Sequence, residues 1–474
     1  MSPNTSTQLY AIGMIVAATV LLDTVMTCSA WGSVETAEAE NAFFVGSHLL
    51  SRENLSGAVE NLEKAVRLDP ENTKYKQVLA VAYNNLGLKM IREGSYRDAF
   101  RTLGKALNVA PEDKDIRSNF VASAFQAVNL PDGKINNADK TEFLRQVLEI
   151  QPDSAAARKA LAALLNNGGV AKGRKADRSG EVTTLEEAAR LDPNNLMIKR
   201  NLATAYYNLG IDKGKKGDFS QEVEFLRKAH KLESKDKMIV ENLARGLSNL
   251  GVLKGKEGDT ASQITLLKES LELVPGDPTT IKNLAAAYNN QGVAESTGAS
   301  FSERIAILET SLKLDPKNQA TISNLTNLLL REAVKEFKEG ASTRAMELLE
   351  RAAKADAGNK AVQLNLAAAY HNEGIKRGEE GKHQEEIRLL EKALKATPAN
   401  SEIKEDLAMA YNDYAVNLGK KGDYSQEVLY LSKAAKLLPG NKVIQENLDR
   451  AKQNMAANEP KKGVTTDKKK SAEK

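Results

Sequence analysis

Residues 201–219 read NLATAYYNLGIDKGKKGDF. Leu202, Tyr206 and Leu209 fall on one side of a 3.6-residue helix, and the glycines that follow close it with a turn. The stretch recurs as NLARGLSNLGVLKGKEGD from 242, NLAAAYNNQGV from 283, NLAAAYHNEGIKRGEEGK from 365 and DLAMAYNDYAVNLGKKGDY from 406. Successive starts lie at multiples of 41, so the chain is a tandem repeat rather than a set of unrelated domains.

Outward from this stretch, the prolines carry the same period. Pro70, Pro111, Pro152, Pro193, Pro275, Pro316, Pro398 and Pro439 share one column, in which Ser234 and Ala357 take the remaining places. Eight residues before each stands an invariant leucine, from Leu62 and Leu103 to Leu390 and Leu431. Position −11 is apolar except at Thr141, and position −5 is mostly small, as at Ala65, Ala106 and Ala434. That spacing marks one stripe of a second helix, which the proline ends. Each unit therefore predicts a long helix A of about 19 residues, a Gly-rich turn and a helix B of about 12. A lone pair buries only part of its apolar surface, and stacking ten of them buries a continuous core.

The pattern NLATAYY, Gly217-Asp218-Phe219, Lys228-Ala229 and Leu191-Asp192-Pro193-Asn194-Asn195 resembles the tetratricopeptide repeat over about residues 34–458. The resemblance implies an all-α, right-handed superhelical solenoid of about ten helix-turn-helix repeats, a non-enzymatic role and a protein or peptide partner. The chain departs from that family in two ways. The usual unit has 34 residues, and the seven extra here fall in helix A. Seven residues are nearly two turns and leave only about 20° of phase error, so the inward face is kept. The small residue expected just before the apolar start of helix B is present only as Ala58, Ala99 and Ala345. Elsewhere the position holds Lys140, Glu181, Glu222, Gln263, Arg304, Glu386 or Glu427, which predicts that helices A and B approach most closely at another point.

Two local breaks are expected. Pro131 and Gly133 interrupt one helix A at 129–140, and Gly168-Gly169 weaken the next over 166–180. Residues 441–457 form a polar capping helix, and the Lys-rich tail 459–474 lacks the apolar content to fold. At the other end, residues 9–22 form an apolar run of fourteen, short for a bilayer span. With Cys28-Ser29-Ala30 behind it, the run fits a cleaved signal peptide, an uncleaved anchor or a lipid-anchored Cys28. The first two place the rest of the chain outside the cytoplasm, with membrane contact only through residues 1–30.

Asparagine carries the only chemistry that repeats. One column of helix A holds Asn119, Asn201, Asn242, Asn283, Asn324, Asn365 and Asn447, with Asp406. A second, seven residues on, holds Asn85, Asn167, Asn208, Asn249, Asn290 and Asn372, with Gln126 and Asp413. Asn inside a helix costs up to about 0.7 kcal/mol relative to Ala, so its recurrence requires a return. Its amide both donates and accepts, so it can hold the backbone of an extended peptide or a neighbouring repeat, or it can be a residue of duplication. In some tetratricopeptide proteins an asparagine ladder at this place holds extended peptide, which the resemblance carries to Asn119, Asn201, Asn208, Asn242, Asn249, Asn283, Asn290, Asn324, Asn365 and Asn372. The column Tyr83, Tyr206, Tyr288, Tyr370 and Tyr411 is expected in the core, and Arg92, Arg174, Lys215, Lys256, Lys338 and Lys420 complement helix dipoles or form a basic rim.

Other chemistries find little support. The net charge is +4, of which the tail supplies +3, so the body lacks the basic excess that nucleic-acid binding uses. One cysteine and four histidines build no metal or nucleophile set, His371 and His383 are expected at the surface, and no cofactor is implied. GVLKGKEGD at 251–259 lacks the spacing and context of a phosphate loop. The alternative to a peptide-binding scaffold is a structural protein of the cell envelope that self-associates through its solenoid, although a polar capping helix opposes open-ended stacking.

Overall fold

The computed structural model describes residues 34–458 apart from 132, 296 and 297. The leader at 1–30 and the tail at 459–474 lie outside the described residues. Every helix B is 14 residues long, from Leu55–Leu68 and Tyr96–Val109 to His383–Ala396 and Tyr424–Leu437, each 41 residues after the last. Regular A helices have 20 residues, as in Thr73–Arg92, Ala155–Arg174, Leu196–Lys215 and Ser401–Lys420. Both are slightly longer than the apolar spacing alone predicts, because their terminal turns run past the periodic stripe to the caps that flank them.

These boundaries have chemical causes. From Thr73–Arg92 onward each A helix begins on an Asx or Ser residue whose side chain accepts from the backbone N–H groups of the first turn, as at Asn72, Asp113, Ser154, Asn195, Asn318 and Asn400. Between A and B the chain turns through a left-handed residue, at Gly94, Gly217, Gly258, Gly340, Gly381 and Gly422. Glu53 and Ala176 occupy the same column at φ 60° and 63°, a conformation that a side chain disfavours.

The chain divides into two compact units, up to Gly246 and from Leu247. Within each, helix A packs most extensively on the B helix that follows it, and each B helix on the next A. The invariant leucines are fully buried: Leu62, Leu103, Leu144, Leu185 and Leu226 in the first unit, Leu267, Leu308, Leu349, Leu390 and Leu431 in the second. The second unit ends in helix Lys442–Asn458, which buries Ile444, Leu448 and Ala451 and leaves its remaining faces polar, as a cap requires.

The closest approach of A to B is made by glycine. A Cβ built on Gly87 would stand 2.6 Å from Leu103 Cγ, and one on Gly46, Gly169 or Gly292 would stand 2.7 Å from Leu62, Leu185 or Leu308. The expected weak point at Gly168-Gly169 is therefore corrected. Helix Ala155–Arg174 runs unbroken because Gly169 lets Leu185 close against it. The break at Pro131 is real: helix Lys114–Val128 stops after 15 residues, and Pro278–Val293 similarly stops after 16.

The position before the apolar start of helix B follows one rule in all ten repeats. Where it is Ala58, Ala99 or Ala345, a large residue eight positions earlier (Leu50, Ile91, Phe337) joins the same apolar cluster. Where it is Glu181, Glu222, Gln263, Glu386 or Glu427, the earlier residue is Gly173, Gly214, Gly255, Gly378 or Gly419, and the long side chain occupies the place of a Cβ. Where helix A stops early it is a base: Lys140 Nζ donates to Leu130 O at 2.8 Å, and Arg304 donates to Gly292 O at 2.9 Å and Val293 O at 3.1 Å. The base thus satisfies orphan carbonyls at the negative end of the helix dipole.

Candidate functional site

Most members of the first asparagine column link their A helix to the one before it. Asn119 Nδ2 donates to Asn84 Oδ1 at 3.1 Å, Asn201 to Asn166 at 2.8 Å, Asn324 to Asn289 at 2.9 Å and Asn447 to Asn412 at 2.8 Å. The acceptors form a third column that the sequence reading missed. Its members are largely buried, with Asn84 at 8%, Asn166 at 5% and Asn412 at 5% exposure. A spacing of 35 residues between amides would have revealed it.

The third column then turns to the second. Asn84 Nδ2 donates to Asn85 Oδ1 at 3.4 Å, Asn166 to Asn167 at 3.4 Å, Asn289 to Asn290 at 3.5 Å and Asn412 to Asp413 Oδ1 at 3.0 Å. Each relay thus runs from one repeat into its neighbour and ends on a residue at or near the surface. Asn167, Asn249, Asn290 and Asn372 are exposed, while Asn85 and Asn208 are half-buried. The Nδ2 groups of Asn85, Asn167 and Asn290 donate to no protein atom among the described residues.

Variants of the relay occur where the third column changes. Asn242 Nδ2 donates to Tyr207 Oη at 3.2 Å and to Met238 O at 2.7 Å. Asn283 stands in the column whose preceding member is Ser248, and Ser248 Oγ accepts from Thr280 at 3.2 Å. Leu330 offers no acceptor, so Asn365 donates to Ala361 O of its own helix at 2.8 Å. His371 replaces the amide in one repeat and meets Asp406 at 2.6 Å, with 14% of its side chain exposed. It belongs to this inter-repeat column and is not the surface histidine that the sequence suggests. His383 lies 3.1 Å from Glu386. Among the described residues no group of three or more His, Cys, Asp or Glu could hold a metal, and no helix is long and apolar enough to cross a membrane.

The tyrosines do lie in the core, and they also work as polar staples. Tyr206 Oη donates to Glu186 of the preceding B helix at 2.6 Å, and Tyr83, Tyr370 and Tyr411 donate likewise to Glu63, Glu350 and Glu391. A lysine from the following B helix stands over each ring, at 5.2 Å for Lys105 on Tyr83 and 4.7 Å for Lys392 on Tyr370. Burial, then the adjacent carboxylate, pushes these four phenols well above their ordinary range. The Tyr370 hydroxyl and Lys392 hold the Glu350 carboxyl below its usual value against the opposing effect of burial. The basic residues expected near the ends of the A helices stand in their last turns, as Arg92, Arg174, Lys215, Lys256, Lys338 and Lys420 do.

No family model matches the chain, and no curated protein does. Among solved structures it is similar to the P58(IPK) TPR domain, with 17% identity and a TM-score of 0.21 over 88% of this chain and 98% of that one. It is similar also to a TPR repeats protein from Bacteroides fragilis, at 17% identity and a TM-score of 0.26 over 53% of this chain and 98% of the other. A third is the human IFIT1 dimer with m7Gppp-AAAA, at 15% identity and 0.20 over 96% of each chain. Its solved neighbours include tetratricopeptide-repeat proteins, and the chain is itself an all-α array of paired helices with a 41-residue period.

Proposed function

We propose that the chain is a non-enzymatic interaction scaffold that holds an extended peptide, or an extended segment of a protein partner, along the outward amides of its A helices. The carrying observation is the three-amide relay. Its first two members are consumed between repeats, and its third keeps an outward Nδ2 group without an acceptor. A donor fixed in orientation by its neighbour loses little freedom when it meets a peptide carbonyl. The relay ends are Asn85 and Asn167 in the first unit and Asn290 in the second, Asn208, Asn249 and Asn372 join the binding set by position in the same column, and Asn119, Asn201, Asn242 and Asn324 take an inter-repeat role. As part of the same proposal, residues 9–22 direct the array out of the cytoplasm.

A peptide selected on the native chain from a random display library provides the test. Because the amides address backbone, replacing the peptide's side chains one at a time should change affinity modestly, whereas N-methylation at alternate peptide bonds should abolish binding. The N167A/N208A/N249A/N290A chain should lose the peptide while melting at nearly the native temperature. Retention of the peptide by that variant would show that the second column has no part in binding.

A further inference from the structure

In the second unit a cavity of about 210 Å³ lies between helix Phe301–Leu314, helix Gln319–Lys338 and helix Ser342–Ala355. Ile305, Leu348 and Glu332 form its buried floor, and Ser302, Glu347 and Arg351 stand exposed around it. Glu332 is 9% exposed and has no hydrogen-bond or ion-pair partner among the described residues. Its carboxylate oxygens are not fully enclosed, so the charge stays open to a partner that enters the cavity from outside.

The repeats themselves identify what is missing. In two earlier repeats the place of Glu332 is taken by Leu209 and Leu250, which bury without charge. In the following repeat it is Glu373, also buried, which pairs with Arg377 at 2.7 Å, one helical turn on. Four residues after Glu332, however, stands Glu336, so the internal cation has been exchanged for a second carboxylate. Glu336 is itself satisfied by Arg344 at 3.1 Å, and Arg351 is held by Glu309 at 2.6 Å. The cavity's two arginines are thus neutralised. Glu332 and Glu347 remain as its uncompensated charges.

We infer that this cavity is a binding site for an ammonium or guanidinium group, which takes beside Glu332 the place that Arg377 fills beside Glu373. The apolar floor receives the methylene stem of such a group, and Glu347 meets its charge at the mouth. The inference stands apart from the amide face, so N290A should leave it intact.

Calorimetry on the full chain with four probes tests it: agmatine, the blocked peptide acetyl-Gly-Arg-Gly-amide, its norleucine counterpart and inorganic phosphate. The guanidinium probes should bind saturably, and the norleucine peptide and phosphate should not. Glu332→Gln should weaken binding at least ~10-fold, and Glu347→Gln only ~2–3-fold because that pair is exposed. Glu336→Arg should restore an internal partner and abolish the probe response. Tighter binding of the peptide would assign the site to a partner's side chain, and tighter binding of agmatine to a free amine. Guanidinium probes that bind no better than norleucine, or binding that survives in Glu332→Gln, would overturn the inference.

Discussion

The carboxylate of Glu222 lies where a side chain on Gly214 would have to be. Its Oε2 has no hydrogen-bond partner, and burial pushes the carboxyl group up, with Arg245 pulling it back only in part. A carboxyl raised in the folded state binds more protons there than in the unfolded chain, so its contribution is fully present below the unfolded value of 4.5 and is lost as pH rises through the folded one. Gln263 already occupies the same place over Gly255 in the next repeat. Glu222→Gln should therefore raise the melting temperature at neutral pH and flatten its fall with pH above 4.5. Thermal melts of both proteins across that range would check it, and a lower melting temperature for the variant at pH 7 would refute it.

Gly168 and Gly169 are adjacent in one helix and should respond to alanine with opposite signs. A Cβ at Gly168 meets nothing within 4 Å, whereas one at Gly169 meets Leu185 Cγ at 2.7 Å. Gly168→Ala should stabilise by up to about 1 kcal/mol through helix propensity. Gly169→Ala should destabilise by about 1–3 kcal/mol, since overpacking outweighs the same gain. Denaturant unfolding of the two variants decides the matter.

Ala176 is the turn residue that its counterparts supply as glycine, and it sits at φ 63°. Ala176→Gly should stabilise by about 1 kcal/mol by removing left-handed strain, although glycine entropy takes back part of the gain. Gly217→Ala, at φ 81° in the next repeat, should show the reverse. Equal effects at both positions would mean that the turn carries no strain.

Asn166 and Asn201 should couple energetically across the repeat boundary. Asn166→Ala leaves the Asn201 amide without its acceptor and should cost about 1–3 kcal/mol, and a double-mutant cycle with Asn201→Ala should return an interaction of about 1 kcal/mol. Asn167→Ala removes only the longer 3.4 Å bond from Asn166 Nδ2 at the exposed end of the same relay and should cost less than Asn166→Ala, about 0.5–1 kcal/mol.

Alkaline titration reads the tyrosine staples. Tyr83, Tyr206, Tyr370 and Tyr411 have ionisation raised above the ordinary 10.0, so the stability they contribute is present below that pH and is lost as pH climbs beyond it. Phenolate absorbance should show these four ionising only as the chain unfolds. Early ionisation of all of the chain's tyrosines would contradict the staple geometry.

The repeat period, the helix pair, the terminal cap and the break at Pro131 were all legible in the sequence, because proline, the invariant leucine and the apolar stripe each report backbone geometry locally. The glycines were harder to interpret. At Gly169 helix propensity argues for weakness, and only the approach of Leu185, sixteen residues away, shows why glycine is required there. The asparagines were legible as a pattern and ambiguous as chemistry. Nothing local to Asn201 announces that its partner is Asn166, since that pairing depends on how two repeats stack. Glu332 was missed for another reason: the exchange of Arg377's counterpart for Glu336 stands in the sequence, but only the packed helices show that the position four residues before it is buried.

The pairing between the start of helix B and the residue eight positions earlier has a consequence for how such a chain assembles. Near-identical units invite each B helix to dock on a neighbour's A helix during synthesis, and a slip of 41 residues would preserve many of the leucine contacts. The three kinds of pairing forbid about half of such slips locally. Displaced by one unit toward the N-terminus, Glu181 would meet no glycine, Ala345 would face a shortened helix, and Arg304 would be driven onto Gly255 with no carbonyls to cap. The array thus carries its own registry marks, and rewriting them to a single consensus should produce a chain that is stable once folded yet prone to trapping in mispaired intermediates.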